Sequence, residues 1–265
     1  MNMDIRKRLS GIRCFLLDMD GTFYLGNQLI DGSLDFLDAL KRTGRRCLFL
    51  TNNSSRSASF YRDKLRRMGV EEEFRQVLTS GQAAARYVTE RFKGKKAFLL
   101  ANAIETEEML ALGVKIDPDH PDYVLIAFDT ELNYEKMTRL CDCVRAGLPY
   151  IATHPDFNCP TETGFIPDIG ATIAYVKAST GREPDVIIGK PYAGIVEETL
   201  CVTGLKKEEM AMVGDRLYTD IATGVDFGML SILVMSGETT EEMARASAVR
   251  PDLTFSCLAD MIPYL

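Results

Sequence analysis

The sequence predicts an α/β protein: a mainly parallel sheet flanked by helices, with a second α/β domain inserted into the chain. Two observations predict the sheet. Short apolar runs alternate with longer amphipathic segments along the 265 residues, and helix start and stop signals bracket those segments. Such alternation marks βα units, whose parallel strands need a crossover helix. A third observation predicts the insertion: between two linker-like stretches lies a segment with strands and helices of its own.

The elements follow in order. Cys14–Leu17 is the first expected strand. Ser33 is placed to cap "LDFLDALKRT", which Gly44 ends. Cys47–Leu50 is the second strand; Ser57 precedes "ASFYRDKLRRM" and Gly69 ends it. The basic stretch 62–69 within it reads as a solvated helix face. Further runs are Ala97–Leu100, Tyr123–Phe128, Tyr150–Ala152, Val186–Ile188, Met210–Val213 and Ser231–Val234. Thr239 and Glu242 have capping-box spacing before "MARAS". Breaks are suggested after "LTSGQ" near residue 82 and at "STGREPD", residues 179–185. Residues 1–81 and 184–265 would then form one discontinuous domain, and 82–183 the insert.

Composition removes several function classes. A chain with 46% hydrophobic and 26% charged residues suits a globular protein. No apolar run approaches the roughly 18 residues needed to cross a bilayer, so no membrane partner is expected. The net charge of −7 argues against a nucleic-acid partner, which would favour a basic face. No apolar stretch precedes Cys14 that could serve as a signal peptide. Seven scattered cysteines do not read as a disulfide framework, and together these points predict a reducing, cytoplasmic setting. Cys141 and Cys143, two apart, would not share a helix face. With only His120 and His154 in the chain, a histidine-rich zinc centre is excluded.

The stretch "FLLDMDGTFY", residues 15–24, ends an apolar strand in Asp18-Met19-Asp20-Gly21-Thr22. A strand-end turn would also account for Asp and Gly, so this stretch alone leaves both readings open. The other strand ends break the tie, because ligands of open α/β sheets bind at the carboxyl ends of strands. Thr51, Asn52 and Asn53 follow the second strand, Lys190 follows "DVII" between Gly189 and Pro191, and Asp215 with Asp220 follows "MAMV". With these read as core strands, three acids, a lysine and a hydroxyl-and-amide loop converge on one edge of the sheet. Clustered carboxylates repel and raise each other's pKa unless a cation neutralises them. Oxygen ligands without imidazole or thiolate favour a hard ion, Mg²⁺. Beside a lysine and a Thr/Asn loop, that arrangement suits a phosphate dianion.

In order and context these pieces resemble the haloacid dehalogenase superfamily of phosphatases. The D-x-D-G-T motif matches Asp18 to Thr22, the strand-closing hydroxyl Thr51, the lysine Lys190, and G-D-x₄-D Asp215 and Asp220. "LTNNSS", "IATHPD", "IIGKP" and "VGDRLYTDI" resemble the NagD-type, p-nitrophenyl phosphatase-like branch, over essentially the whole chain. The resemblance implies a Rossmann-like core, an inserted C2-type α/β cap, and phosphate-monoester hydrolysis through an aspartyl-phosphate. The substrate would be a small phosphorylated metabolite: a sugar phosphate, phosphoglycolate or a nucleoside monophosphate. Related proteins also allow a homodimer.

The implied roles follow residue by residue. Asp18 would be the nucleophile and Asp20 the general acid and base. Asp18, the Asp20 backbone carbonyl and Asp215 would hold Mg²⁺, with Asp220 supporting the metal or its waters. Lys190 would neutralise the phosphoryl group, and Thr51, Asn52 and Asn53 would bind its oxygens, although the two asparagines could equally form Asx turns or caps. His154 and Asn158 are expected to touch the organic part of the substrate, and Arg216 and Tyr218 to line the cleft. Relatives often read "ATNPD" where this chain places His154. Two competing functions share the fold: a non-catalytic phospholigand-binding protein, against which intact Asp18 and Asp20 argue, and a phosphomutase or phosphotransferase.

Overall fold

The computed structural model describes residues 2–161 and 164–265, and it confirms an α/β chain. Two compact units are formed: Met1–Thr51, Tyr61–Leu78 and Thr199–Leu265 make one, Asn52–Phe60 and Thr79–Glu198 the other.

The first unit is organised by a six-stranded sheet in the order Leu253–Phe255, Leu230–Val234, Met210–Gly214, Cys14–Leu17, Arg46–Thr51, Val77–Thr79. The central strand Cys14–Leu17 is parallel to both neighbours, with Leu17 level with Val213 on one side and Phe49 on the other. "CFLL" and "MAMVG" are buried at every position, as a strand covered on both faces requires. Phe15 meets Phe36 edge-on at 5.5 Å between ring centroids, and Phe23 meets Phe49 at 4.8 Å. These aromatic pairs tie the helix Ser33–Arg42 and the loop after Asp20 to the sheet.

The second unit has its own five-stranded parallel sheet, ordered Val186–Ile187, Tyr150–Ala152, Tyr123–Ile126, Lys96–Leu100, Lys115–Ile116. Its core collects Phe98, Val124, Ile126, Leu140, Val144 and Tyr150. Asn102, Asn133 and Asp168 cap the helices Ala103–Ala111, Tyr134–Arg145 and Ile169–Thr180 with their side-chain oxygens. A two-stranded antiparallel ribbon, Asn158–Thr161 with Gly164–Pro167, carries exposed Phe157, Phe165 and Ile166.

Four local expectations are corrected. "DVII" is not a core strand: Val186–Ile187 pairs with Tyr150–Ala152 in the second sheet. Its short apolar run looks the same in either sheet, and only the partner distinguishes them. The chain at residue 82 is helical, because Thr79 and Gln82 form a capping box that starts Ser80–Arg91. Ser33 is not a cap. Gly32 holds the N-cap at φ 80, and the buried Ser33 hydroxyl donates to the carbonyl of Phe23 at 2.8 Å. Thr240, not Thr239, caps Glu241–Ala246 by accepting from the Met243 N–H.

Candidate active site

The site of the first unit is built from strand ends. Asp18 lies one residue past Leu17, and its N–H donates to the carbonyl of Val213 on the adjacent strand at 2.9 Å. Asp215 lies one residue past Gly214 of that same neighbour. Parallel register therefore sets these two acids side by side. Asp220 joins them through a π-helical turn, Leu217–Ile221, in which the Arg216 carbonyl accepts from both Asp220 and Ile221 N–H groups. Asp18, Asp215 and Asp220 each bring one carboxylate oxygen to within 4.8 Å of the other two.

Asp215 and Asp220 are buried and Asp18 is half-buried. Such crowding favours the neutral acid. Burial first, and then the neighbouring Asp220, raise the Asp215 pKa to about 6, against the lowering effect of the Glu238 N–H and Arg216. The donor set is all oxygen, and three carboxylates this close together fit a hard divalent cation better than they fit one another.

Asp20 sits at the mouth of the turn. Its Oδ1 accepts from Gly26 N–H at 3.3 Å, across the small ribbon Tyr24–Leu25 with Gln28–Leu29. Burial raises its pKa, with Lys64, the Gly26 N–H and Arg216 pulling the other way. A carboxyl kept protonated above its ordinary range is the form a general acid requires. Burial alone would lower the Arg216 pKa, but Asp18, Tyr218, Glu238 and Asp220 outweigh it and hold the guanidinium charged. Its Nε contacts Glu238 Oε2 at 2.9 Å. Thr51, buried, closes the strand Arg46–Thr51. Tyr218 is exposed.

Lys190 belongs to the second unit, where it is 2% exposed. Asn52 holds it there: the Asn52 side-chain Oδ1 accepts from Lys190 N–H at 2.8 Å, and its Nδ2 donates to the Lys190 backbone carbonyl at 3.0 Å. The same amide reaches Asp156 at 3.1 Å. The Asn52 side chain is thus spent on positioning. Asn53 forms an Asx turn, its Oδ1 accepting from the N–H and hydroxyl of Ser55. Asn53 thus takes the Asx-turn alternative, whereas Asn52 bonds the Lys190 backbone and Asp156.

The cap-side pair separates. Asn158 is exposed at the start of the antiparallel ribbon. His154 is fully buried, its Nδ1 3.7 Å from Asp156 and its Nε2 3.6 Å from Asp168. His154 thus shows no exposed surface, whereas Asn158 does. Sequence reasoning missed Asp156, Asp168 and the segment Ser236–Thr239. "IATHPD" carried a signal for Asp156, an acid two residues from the histidine in the same loop.

The chain matches a family model described as haloacid dehalogenase-like hydrolase over residues 15–115, and a second, HAD-hydrolase-like model over 187–261. An acid sugar phosphatase of Staphylococcus aureus is 37% identical over 254 residues, covering 96% of this chain and 98% of that one. The chain belongs to the haloacid dehalogenase-like hydrolases. Solved relatives agree in structure. A 4-nitrophenylphosphatase from Thermotoga maritima superposes with a TM-score of 0.93 at 45% identity, over 97% of this chain and 98% of that chain. A p-nitrophenyl phosphatase from Archaeoglobus fulgidus gives 0.90 at 33% identity, over 96% and 99%. Within the haloacid dehalogenase-like family the chain is a NagD-like phosphatase, a phosphoric monoester hydrolase. Among its described residues no helix is long and apolar enough to cross a membrane.

Proposed function

We propose that this phosphatase is Mg²⁺-dependent and hydrolyses a small phosphate monoester, of the sugar-phosphate class, through an aspartyl-phosphate on Asp18. The observation that carries the proposal is the partly and fully buried cluster of Asp18, Asp215 and Asp220 at the carboxyl ends of adjacent parallel strands. Mg²⁺ would be held by Asp18, Asp215 and the Asp20 backbone carbonyl, with Asp220 in support, and would supply charge to offset the phosphoryl oxygens.

The Asp18 carboxylate attacks phosphorus, and the ester oxygen leaves with the proton of Asp20. Asp20, now a carboxylate, takes a proton from water as that water attacks the acyl-phosphate. Inorganic phosphate departs and both acids return to their starting forms. Lys190, Thr51 and the backbone of the Asn52–Asn53 loop hold the phosphoryl oxygens, while the Asn52 side chain keeps Lys190 in place. Arg216 and Tyr218 line the approach. Chemistry is assigned to residues 1–81 and 184–265, and substrate selection to 82–183 acting as the cap, with exposed Asn158 on its ribbon. The partner is a small phosphorylated metabolite in the cytoplasm, and the reading accommodates a homodimer.

The sugar-phosphate class rests on the acid sugar phosphatase relative. A panel of phosphate esters ranked by kcat/KM tests it; sugar phosphates should rank above nucleotides. The covalent route is tested by Asp18→Asn, whose amide cannot form an acyl-phosphate. Turnover of p-nitrophenyl phosphate should fall by at least a hundredfold, while the folded structure persists by circular dichroism. A variant retaining a tenth of wild-type kcat would refute the nucleophile.

A further inference from the structure

After the strand Leu230–Val234 the chain runs through Ser236-Gly237-Glu238-Thr239, and every one of these residues engages Asp215 or its surroundings. The Glu238 N–H donates to Asp215 Oδ2 at 2.7 Å. The buried Thr239 hydroxyl donates to the Asp215 backbone carbonyl at 2.5 Å. Ser236 donates its hydroxyl to the Gly21 carbonyl at 2.7 Å, joining the segment to the turn that carries Asp20. Glu238 turns its carboxylate to Arg216 Nε, next in sequence to Asp215. Gly237 has no side chain where one could not stand: a Cβ there would meet Asp215 Oδ2 at 2.0 Å. On the opposite side Thr22 donates to Asp215 Oδ1 at 3.3 Å.

We propose that Ser236–Thr239 is a strap that fixes the main chain and carboxylate plane of Asp215 in the orientation needed to ligate a divalent cation. Thr239 and Gly237 are its positioning residues. The inference rests on the Mg²⁺ reading of the site and adds residues to it. The physical reason is preorganisation. Asp215 is crowded by Asp18 and Asp220, and without fixed donors its carboxylate would be free to turn away. One donor on each carboxylate oxygen and one on the backbone carbonyl leave it a single orientation before the cation arrives. Outer partners of this kind commonly set metal affinity by about 10- to 100-fold.

Titration calorimetry of the folded protein with Mg²⁺ alone is the test, with Thr239→Val, Thr239→Ser and Gly237→Ala as variants. Thr239→Val keeps the volume and loses the donor, so its Mg²⁺ dissociation constant should rise about 10- to 100-fold. Thr239→Ser keeps the hydroxyl and should stay within threefold of wild type. Gly237→Ala should weaken binding at least as much as Thr239→Val. The Mg²⁺ concentration for half-maximal phosphatase activity should rise in parallel. If Gly237→Ala does not fold, the Thr239 pair decides alone. Wild-type binding with Thr239→Val within twofold of it overturns the strap and leaves the metal reading standing. A wild type that takes up no Mg²⁺ overturns both.

Discussion

At the scale of single residues, His154 changes role between sequence and structure. Its place in "IATHPD" suggested contact with substrate, yet it is closed off between Asp156 and Asp168. Asp156 in turn accepts from Asn52, which grips the backbone of Lys190 on both sides. A defect at His154 should therefore reach Lys190, not the substrate's organic group. His154→Ala is expected to lower kcat/KM by a similar factor across five phosphate esters. It should also cost about 1–3 kcal/mol of stability in urea, from the lost buried contacts. An effect confined to one ester would restore His154 to the specificity surface. The positions of Asp18 and Asp215 were legible because a strand end is set by a short apolar run; the partners of His154 were not, being set by folding of the second unit.

At the scale of elements, the helices Ser80–Arg91 and Ala103–Ala111 meet across an unusual contact. Glu105 is fully buried and neither carboxylate oxygen has a hydrogen-bond partner among the described residues. It stands so close to Gly81 that a Cβ there would lie 2.0 Å from Glu105 Oε1. Burial, followed by nearby Glu108, pushes the Glu105 pKa up to about 9. The sign for stability follows from linkage. The folded state keeps the proton while the unfolded chain releases it above the ordinary glutamate range, so stability falls as pH rises between about 4.5 and 9, by up to about 1.4 kcal/mol per pH unit. Glu105→Gln removes that titration. Urea midpoints should then match wild type near pH 4 and exceed it at pH 8. Equal midpoints at both pH values would show that Glu105 ionises freely in the fold.

Across the whole molecule, the carboxylate cluster links metal, pH and stability. The Asp215 pKa, raised to about 6 by burial and Asp220, means that the folded protein without metal takes up a proton there more readily than the unfolded chain. Stability from this group is thus full in acid and is lost as pH rises through about 6. On the metal-dependent reading, a divalent cation would replace the proton and reverse the trend. Mg²⁺ should therefore raise the melting temperature more at pH 8 than at pH 5, which differential scanning calorimetry measures. EDTA should abolish phosphatase activity and Mg²⁺ restore it, with Zn²⁺ a poorer activator, since the cluster has no thiolate or imidazole. Full activity in chelator would exclude the metal-dependent reading.

The sequence by itself determined the α/β class, the order of the motif residues and the placing of Asp18 and Asp215 at strand ends. Each of these depends on short stretches: an apolar run, a capping signal, a charged residue at a strand end. Tertiary structure alone decided which sheet a strand joined. The run before Lys190 pairs with Tyr150–Ala152, and nothing in three apolar residues names the partner. It alone decided that Thr239 holds Asp215, 24 positions away, instead of capping the helix beside it. A hydroxyl donates to whichever carbonyl the fold delivers, and packing between distant segments sets that choice.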